Sequence, residues 1–273
     1  MAFLKRDNDR HIYFEDHAGA GRPFLLIHGW AMSGRAWDTT LAALKARGHR
    51  VVTFDQRGCG LSDKDFADVS IAALAGDAVA LADHLGLDGV ILNGWSLGGA
   101  VATAAADALG PRCAGLILTC GASPRYTQAP DFPHGGTKDD IRGLLAGLAA
   151  DRATFFRGTA AAVCAKPVGE AVEHWMWSLF MQASPTADAS LLDLADVEQR
   201  DILRGLSAPV LSIVGDADVF VAPAIGMAAA ALAGSGTLVR FAGCGHAPFI
   251  EDFAGYVAAI TDFAQGLDRG ASA

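Results

Sequence analysis

The chain has 273 residues, is 52% hydrophobic and 19% charged, and carries a formal net charge of −9 with a sequence pI near 5.2. That balance is the one of a water-soluble globular chain of one or two domains with a sizeable core. It argues against general nucleic-acid binding, which needs clustered Lys and Arg, and no apolar run reaches the ~18 residues of a membrane span.

Along the chain, "HIYFED" at 11–16 alternates like a strand, and the Gly-rich "AGAGRP" at 18–23 reads as a turn. "FLLIHG" at 24–29 reads as a buried strand, "AWDTTLAALKARG" at 36–48 as a helix closed by Gly48, and "RVVTFD" at 50–55 as a strand. Ser70 opens a helix that runs to Gly86, "GVILNG" at 89–94 is a strand, and residues 97–110 form a helix stopped by Gly110–Pro111. "AGLILTCG" at 114–121 is the next strand. Continuously apolar strands separated by helices indicate a mostly parallel sheet covered on both faces, an α/β class.

The rhythm breaks at about Ala122. "SPRYTQAPDFPHGG" is loop-like, and helical material runs from about Asp139 to Leu206 without a clear strand. The alternation resumes with the strand "PVLSIVGD" at 209–216, an Ala-rich helix at 222–233, the strand "TLVRFAG" at 237–243 and a last helix at 249–266. Residues 1–122 and 207–273 therefore form the expected core domain, and 123–206 a helical lid inserted into it. The opening "MAFLKRDNDR" turns charged too early for the apolar core of a signal peptide. The cysteines Cys59, Cys113, Cys120, Cys164 and Cys244 are odd in number, scattered and without a CxxC pair. They read as reduced thiols in a cytoplasmic protein, and Cys244 as a small packing residue.

"GWSLGG" at 94–99 carries the chemistry. A serine in G-x-S-x-G, between a predicted strand and a predicted helix, matches the corner that exposes a nucleophile. Gly94 and Gly98 let the backbone close without Cβ clashes, and the helix N-terminus turns free N–H groups toward the site. The competing reading is a plain structural turn. A serine hydroxyl is a weak nucleophile and needs a base. Among the eight histidines, His246 in "GCGHAPFIED" sits in a bent loop between the last strand and last helix. The base in turn needs a carboxylate to set its tautomer. "IVGDADVFVAP" offers Asp216 and Asp218; Asp218 is taken as the acid and Asp216 as the turn residue. The order Ser96, Asp218, His246 is nucleophile, acid, base. The backbone N–H groups of Leu97 and Trp30 are the expected oxyanion donors, with His28 shaping the loop.

These motifs resemble the α/β-hydrolase superfamily over nearly the whole chain: "HGW" at 28–30, "DQRGCGLSD" at 55–63, "GWSLGG" at 94–99, "GDADVFVAP" at 215–223 and "GHAPFI" at 245–250. Within it, "HGW", "GWSLGG" and "GHAPFI" resemble the pimeloyl-acyl-carrier-protein methyl ester esterases. The resemblance implies an α/β-hydrolase fold with a helical lid, the triad Ser96, Asp218 and His246, and oxyanion donors at Trp30 and Leu97. It also implies an acyl carrier protein as a partner. Between Pro124 and Gly205, however, eight Lys/Arg face eleven Asp/Glu, a balance that does not favour an acidic partner.

The lid segment is rich in aromatics, and Phe155, Trp175 and Trp177, with Trp95 beside the corner, are the candidates for an apolar substrate pocket above Ser96. No phosphate loop and no metal-ligand spacing is present, so neither cofactor nor metal is expected. The expected activity is hydrolysis of small-molecule carboxylic esters with apolar acyl or alkyl groups through an acyl-enzyme. The rivals are a lactonase, a C–C bond hydrolase or a perhydrolase on the same triad, and a ligand-binding receptor on the same fold.

Overall fold

A computed structural model describes residues 2–270; the ends of the expected core span, residue 1 and residues 271–273, lie outside it. Among the described residues, eight strands form one sheet: β1 (Ala2–Lys5), β2 (His11–His17), β3 (Gly21–Ile27), β4 (His49–Phe54), β5 (Val90–Trp95), β6 (Cys113–Thr119), β7 (Val210–Gly215) and β8 (Gly236–Phe241). Their spatial order is β1-β2-β4-β3-β5-β6-β7-β8. β1/β2 and β2/β4 pair antiparallel, and every other neighbouring pair is parallel.

Successive residues of a strand face opposite sides of the sheet, and here both sides are buried. Leu25 and Ile27 of β3 join one apolar core with helix α2 (Ile71–His84) and helix α3 (Leu97–Leu109). Phe24 and Leu26 join the other, with α1 (Asp38–Ala46) and the last helix. That is why these strands read as unbroken apolar runs. Ser70 caps α2 by accepting a hydrogen bond from the Ala73 N–H.

Between β6 and β7 run α4 (Lys138–Ala150), α5 (Arg152–Ala162), α6 (Glu170–Phe180), α7 (Ala189–Leu194) and α8 (Arg200–Gly205). Thr137 and Asp140 cap α4 reciprocally, and Asp151 caps α5. α5 packs on α6, whereas α7 and α8 pack on α3 of the core layer. The chain returns through β7, α9 (Pro223–Leu232), β8, the short α10 (Pro248–Glu251) and α11 (Phe253–Gly270).

Three local features differ from the sequence reading. β1 escapes it because the strand is short and its alternate residues Phe3 and Lys5 are exposed on a sheet edge. β3 begins at Gly21, inside the expected turn, because Gly21 already pairs with His49 of β4. The last helix is split at Asp252, whose backbone leaves the helical region at φ −142° and ψ 65°. Among the described residues no helix is long and apolar enough to cross a membrane.

Candidate active site

Ser96 joins β5 to α3 with φ 58° and ψ −126°. A non-glycine residue at positive φ costs about 1–3 kcal/mol and persists only where its surroundings hold it. Here the Ser96 N–H donates to Thr119 O at 3.1 Å, and Ser96 O accepts from Gly99 N and Ala122 N, both at 2.8 Å. The flanking glycines are required by space. A Cβ on Gly94 would stand 2.1 Å from Gly98 O, and one on Gly98 would stand 2.5 Å from both Ile27 O and His28 O.

The β3 end supplies the facing loop. Among the described residues, the backbone N–H groups of Trp30 and Leu97 donate to no partner. His28 shapes this loop: its ring bonds Gly29 O through Nδ1 at 2.8 Å, and its Nε2 accepts from Gln56 N at 2.9 Å. Burial lowers the pKa of this ring, so His28 is a neutral strut.

His246 and Asp218 come from the loops after β8 and β7. His246 Nδ1 lies 2.8 Å from Asp218 Oδ2, with both side chains buried. Asp218 Oδ1 accepts from the N–H groups of Phe220 (2.8 Å) and Val221 (3.0 Å). Burial acts to raise the Asp218 carboxyl, but the His246 ring and these backbone donors together hold it below its ordinary value. Against an ionised carboxylate Nδ1 is the donor, which leaves Nε2 free to accept a proton. Asp216 is exposed and pairs with Arg240 at 3.0 Å, away from the ring.

Several contacts fix the imidazole. Its ring lies between Trp95 and Phe220, at centroid distances of 5.5 and 5.2 Å. The Trp95 indole N–H donates to His246 O at 2.8 Å, and the His246 N–H donates to Val163 O at 2.8 Å. Ser96, His246, Trp30, Leu97, Trp95 and Phe155 all line one cavity of about 100 Å³. Leu144, Phe180, Leu191, Leu194 and Phe220 make most of its remaining wall apolar.

Comparisons with known proteins place the chain in a family. The alpha/beta hydrolase fold family matches residues 22–253. The chain is an α/β-hydrolase. It is 33% identical over 259 residues to the pimeloyl-[acyl-carrier protein] methyl ester esterase of Stenotrophomonas maltophilia, covering 91% of this chain and 95% of that one. It is 30% identical to the AB hydrolase superfamily protein YisY of Bacillus subtilis, covering 92% and 94%. Among solved structures, an esterase from Exiguobacterium antarcticum superposes with a TM-score of 0.92 at 26% identity, covering 96% of this chain and 98% of that one.

Two expected pocket residues of this hydrolase lie elsewhere. Trp175 lines an outer groove with Phe249 and Phe253. Trp177 lines another with Arg157 and Glu170, its indole N–H donating to Ala153 O at 3.0 Å. The reason is helical spacing: Met176, Leu179 and Phe180 occupy the buried face of α6, and residues 175 and 177 flank that face.

The sequence reading of this hydrolase also missed residues that hold the site. Glu251 accepts from Gly245 N, Ala165 N and Lys166 N within 2.8–2.9 Å, tying the His246 loop to the segment after α5. Its only sequence signal is an acid shortly after the base in "GHAPFIED". Cys120 directly follows β6, at φ 43°. Cys120 Sγ and ligand-type atoms of Asp218 and His246 lie within 4.8 Å of one another. The carboxylate and imidazole of that trio already bond each other. Burial, with Asp218 beside it, pushes the thiol well above its ordinary pKa, which suits packing behind the acid rather than metal binding.

Proposed function

We propose that this hydrolase is a serine carboxylesterase acting on small esters of short, apolar acyl groups. The observation that carries the reading is the His246–Asp218 hydrogen bond at 2.8 Å, with His246 and the strained Ser96 on one apolar cavity. Ser96 Oγ attacks the ester carbonyl as His246 Nε2 takes its proton, and the Trp30 and Leu97 N–H groups hold the oxyanion. The tetrahedral intermediate collapses, the C–O bond breaks, and His246 returns the proton to the leaving alcohol. Water then attacks the acyl-enzyme with His246 as base, releasing the acid and free Ser96. Asp218 fixes the histidine tautomer and balances its charge.

In this reading residues 123–206 roof the site, with α4 and α5 contributing Leu144 and Phe155 to the cavity wall. A volume of about 100 Å³ is well below the ~300–1,000 Å³ of drug-sized sites, which favours short acyl groups. A carrier-protein partner is disfavoured by the charges of this segment. Arg152 pairs with Asp188, Arg125 with Glu198, and Arg200 with Asp131 and Glu198, so these cations are already neutralised by acids of the same chain.

The test is turnover of p-nitrophenyl esters from acetate to decanoate by the wild type and Ser96→Ala. The variant should lose at least about three orders of magnitude in kcat/KM, with its melting temperature maintained. A variant that keeps a tenth of wild-type activity refutes the nucleophile assignment.

A further inference from the structure

Tyr126 carries a hydroxyl on the cavity wall that the reaction does not use. It lies in the loop after β6, among the residues lining the cavity with Ser96 and His246. The loop is pinned on both sides: Arg125 Nε donates to Thr127 O at 2.8 Å, Thr127 Oγ1 to Ala195 O at 2.7 Å, and Gln128 N to Gly136 O at 2.9 Å. The ring packs against the apolar core.

Several other polar groups nearby are committed. Thr159 Oγ1 donates to Phe155 O at 3.0 Å, His246 Nδ1 lies against Asp218, and the Trp95 indole N–H is bonded to His246 O. The Trp30 indole N–H has no partner but is sealed from solvent. The Tyr126 hydroxyl also has no hydrogen-bond partner among the described residues, and Tyr126 is only partly buried. Burial, and then the nearby Asp218 charge, push its ionisation up to about 12, so it stays an O–H donor through neutral and mildly alkaline pH.

A protonated, unpaired hydroxyl on a largely apolar wall disfavours a purely hydrocarbon occupant, which would leave the group dry and unbonded. We infer that Tyr126 is a specificity-determining residue, and that its hydroxyl donates a hydrogen bond to an ether or carbonyl oxygen carried by the substrate beside the scissile ester. The inference rests on the esterase reading and refines its substrate class to small esters that carry one such oxygen in an otherwise apolar acyl or alcohol group.

The experiment compares shape-matched esters with the wild type and Tyr126→Phe. On the acyl side the pair is p-nitrophenyl methoxyacetate and p-nitrophenyl butyrate. On the alcohol side it is 2-methoxyethyl acetate and butyl acetate. Each pair exchanges one CH₂ for O, and comparing the ratio between enzymes cancels the intrinsic reactivity of the esters. Tyr126→Phe should lower kcat/KM for the oxygen member of one pair about three- to tenfold relative to its alkyl partner, and the responding pair identifies which side of the ester faces Tyr126. The alkyl members should stay within about twofold. Equal losses on both members of both pairs make Tyr126 structural and overturn the inference, as do unchanged ratios. Alkyl-ester turnover that Ser96→Ala abolishes is the control: its absence overturns the esterase reading as well, whereas its presence with unchanged ratios overturns the Tyr126 inference alone.

Discussion

Gly98 is the second residue of α3, one position after Leu97, the proposed oxyanion donor, and it touches the strand end that carries Trp30. Replacing it with Ala places a methyl 2.5 Å from both Ile27 O and His28 O, where real contacts begin at about 3.0 Å. Neither carbonyl retreats easily. Ile27 pairs with Gly94 in the sheet, and the His28 ring is bonded to Gly29 and Gln56. The strain is therefore released by moving the start of α3 away from the 28–30 loop, which separates the Leu97 and Trp30 N–H groups. Losing one oxyanion donor costs ~10²–10³ in kcat, and misplacement by ~1 Å costs ~10². A shift of half that size predicts a loss of about 10- to 100-fold, expressed in kcat more than in KM. Overpacking of about 1–3 kcal/mol should also lower the melting temperature by roughly 2–12 °C. The assay is kcat and KM on p-nitrophenyl butyrate with a thermal melt, using Gly143→Ala as control because a Cβ there meets nothing within 4 Å. A Gly98→Ala enzyme with kcat within twofold of wild type and an unshifted melt would refute the argument.

Asp218→Asn should cut kcat by about 10⁴, because the amide forces the wrong histidine tautomer, while Asp216→Asn removes only an exposed pair with Arg240 and should change kcat less than twofold; the opposite ranking in kcat assays would overturn the choice of acid. The Asp218 carboxyl is held below its ordinary value of 3.8, so its stabilisation is present above that value and fades as pH falls through the lowered one. Acid melts of Asp218→Asn should accordingly show a shallower loss of stability below about pH 4 than wild type, and parallel curves would contradict this. Trp175→Ala and Trp177→Ala should leave the acyl-length profile unchanged, whereas Phe155→Ala, on the cavity wall, should shift it toward longer chains by up to ~4-fold in kcat/KM per added carbon; a length shift in either tryptophan variant would restore it to the pocket.

Much of this molecule is legible in one dimension because its constraints are local. Unbroken apolar runs announce strands buried on both faces, and Leu25/Ile27 and Phe24/Leu26 do feed opposite cores. Glycines two residues either side of Ser96 announce a turn too tight for side chains, and the clashes at Gly94 and Gly98 bear that out. The order of serine, acid and histidine follows the strand order, so those positions stand out in the sequence as well. Other features depend on distances between segments far apart in the chain. Which tryptophans face the cavity was decided by the rotation of α6 about its axis, set by Met176, Leu179 and Phe180 seeking the core. The bond from His246 Nδ1 to Asp218, the grip of Glu251 on Ala165 and Lys166, and the unpaired hydroxyl of Tyr126 on the cavity wall exist only once loops separated by tens of residues are packed together. Sequence periodicity reports which face of an element is apolar, because that follows from local geometry; only the packed fold decides which polar groups find partners, because a hydrogen bond needs two atoms within about 3 Å.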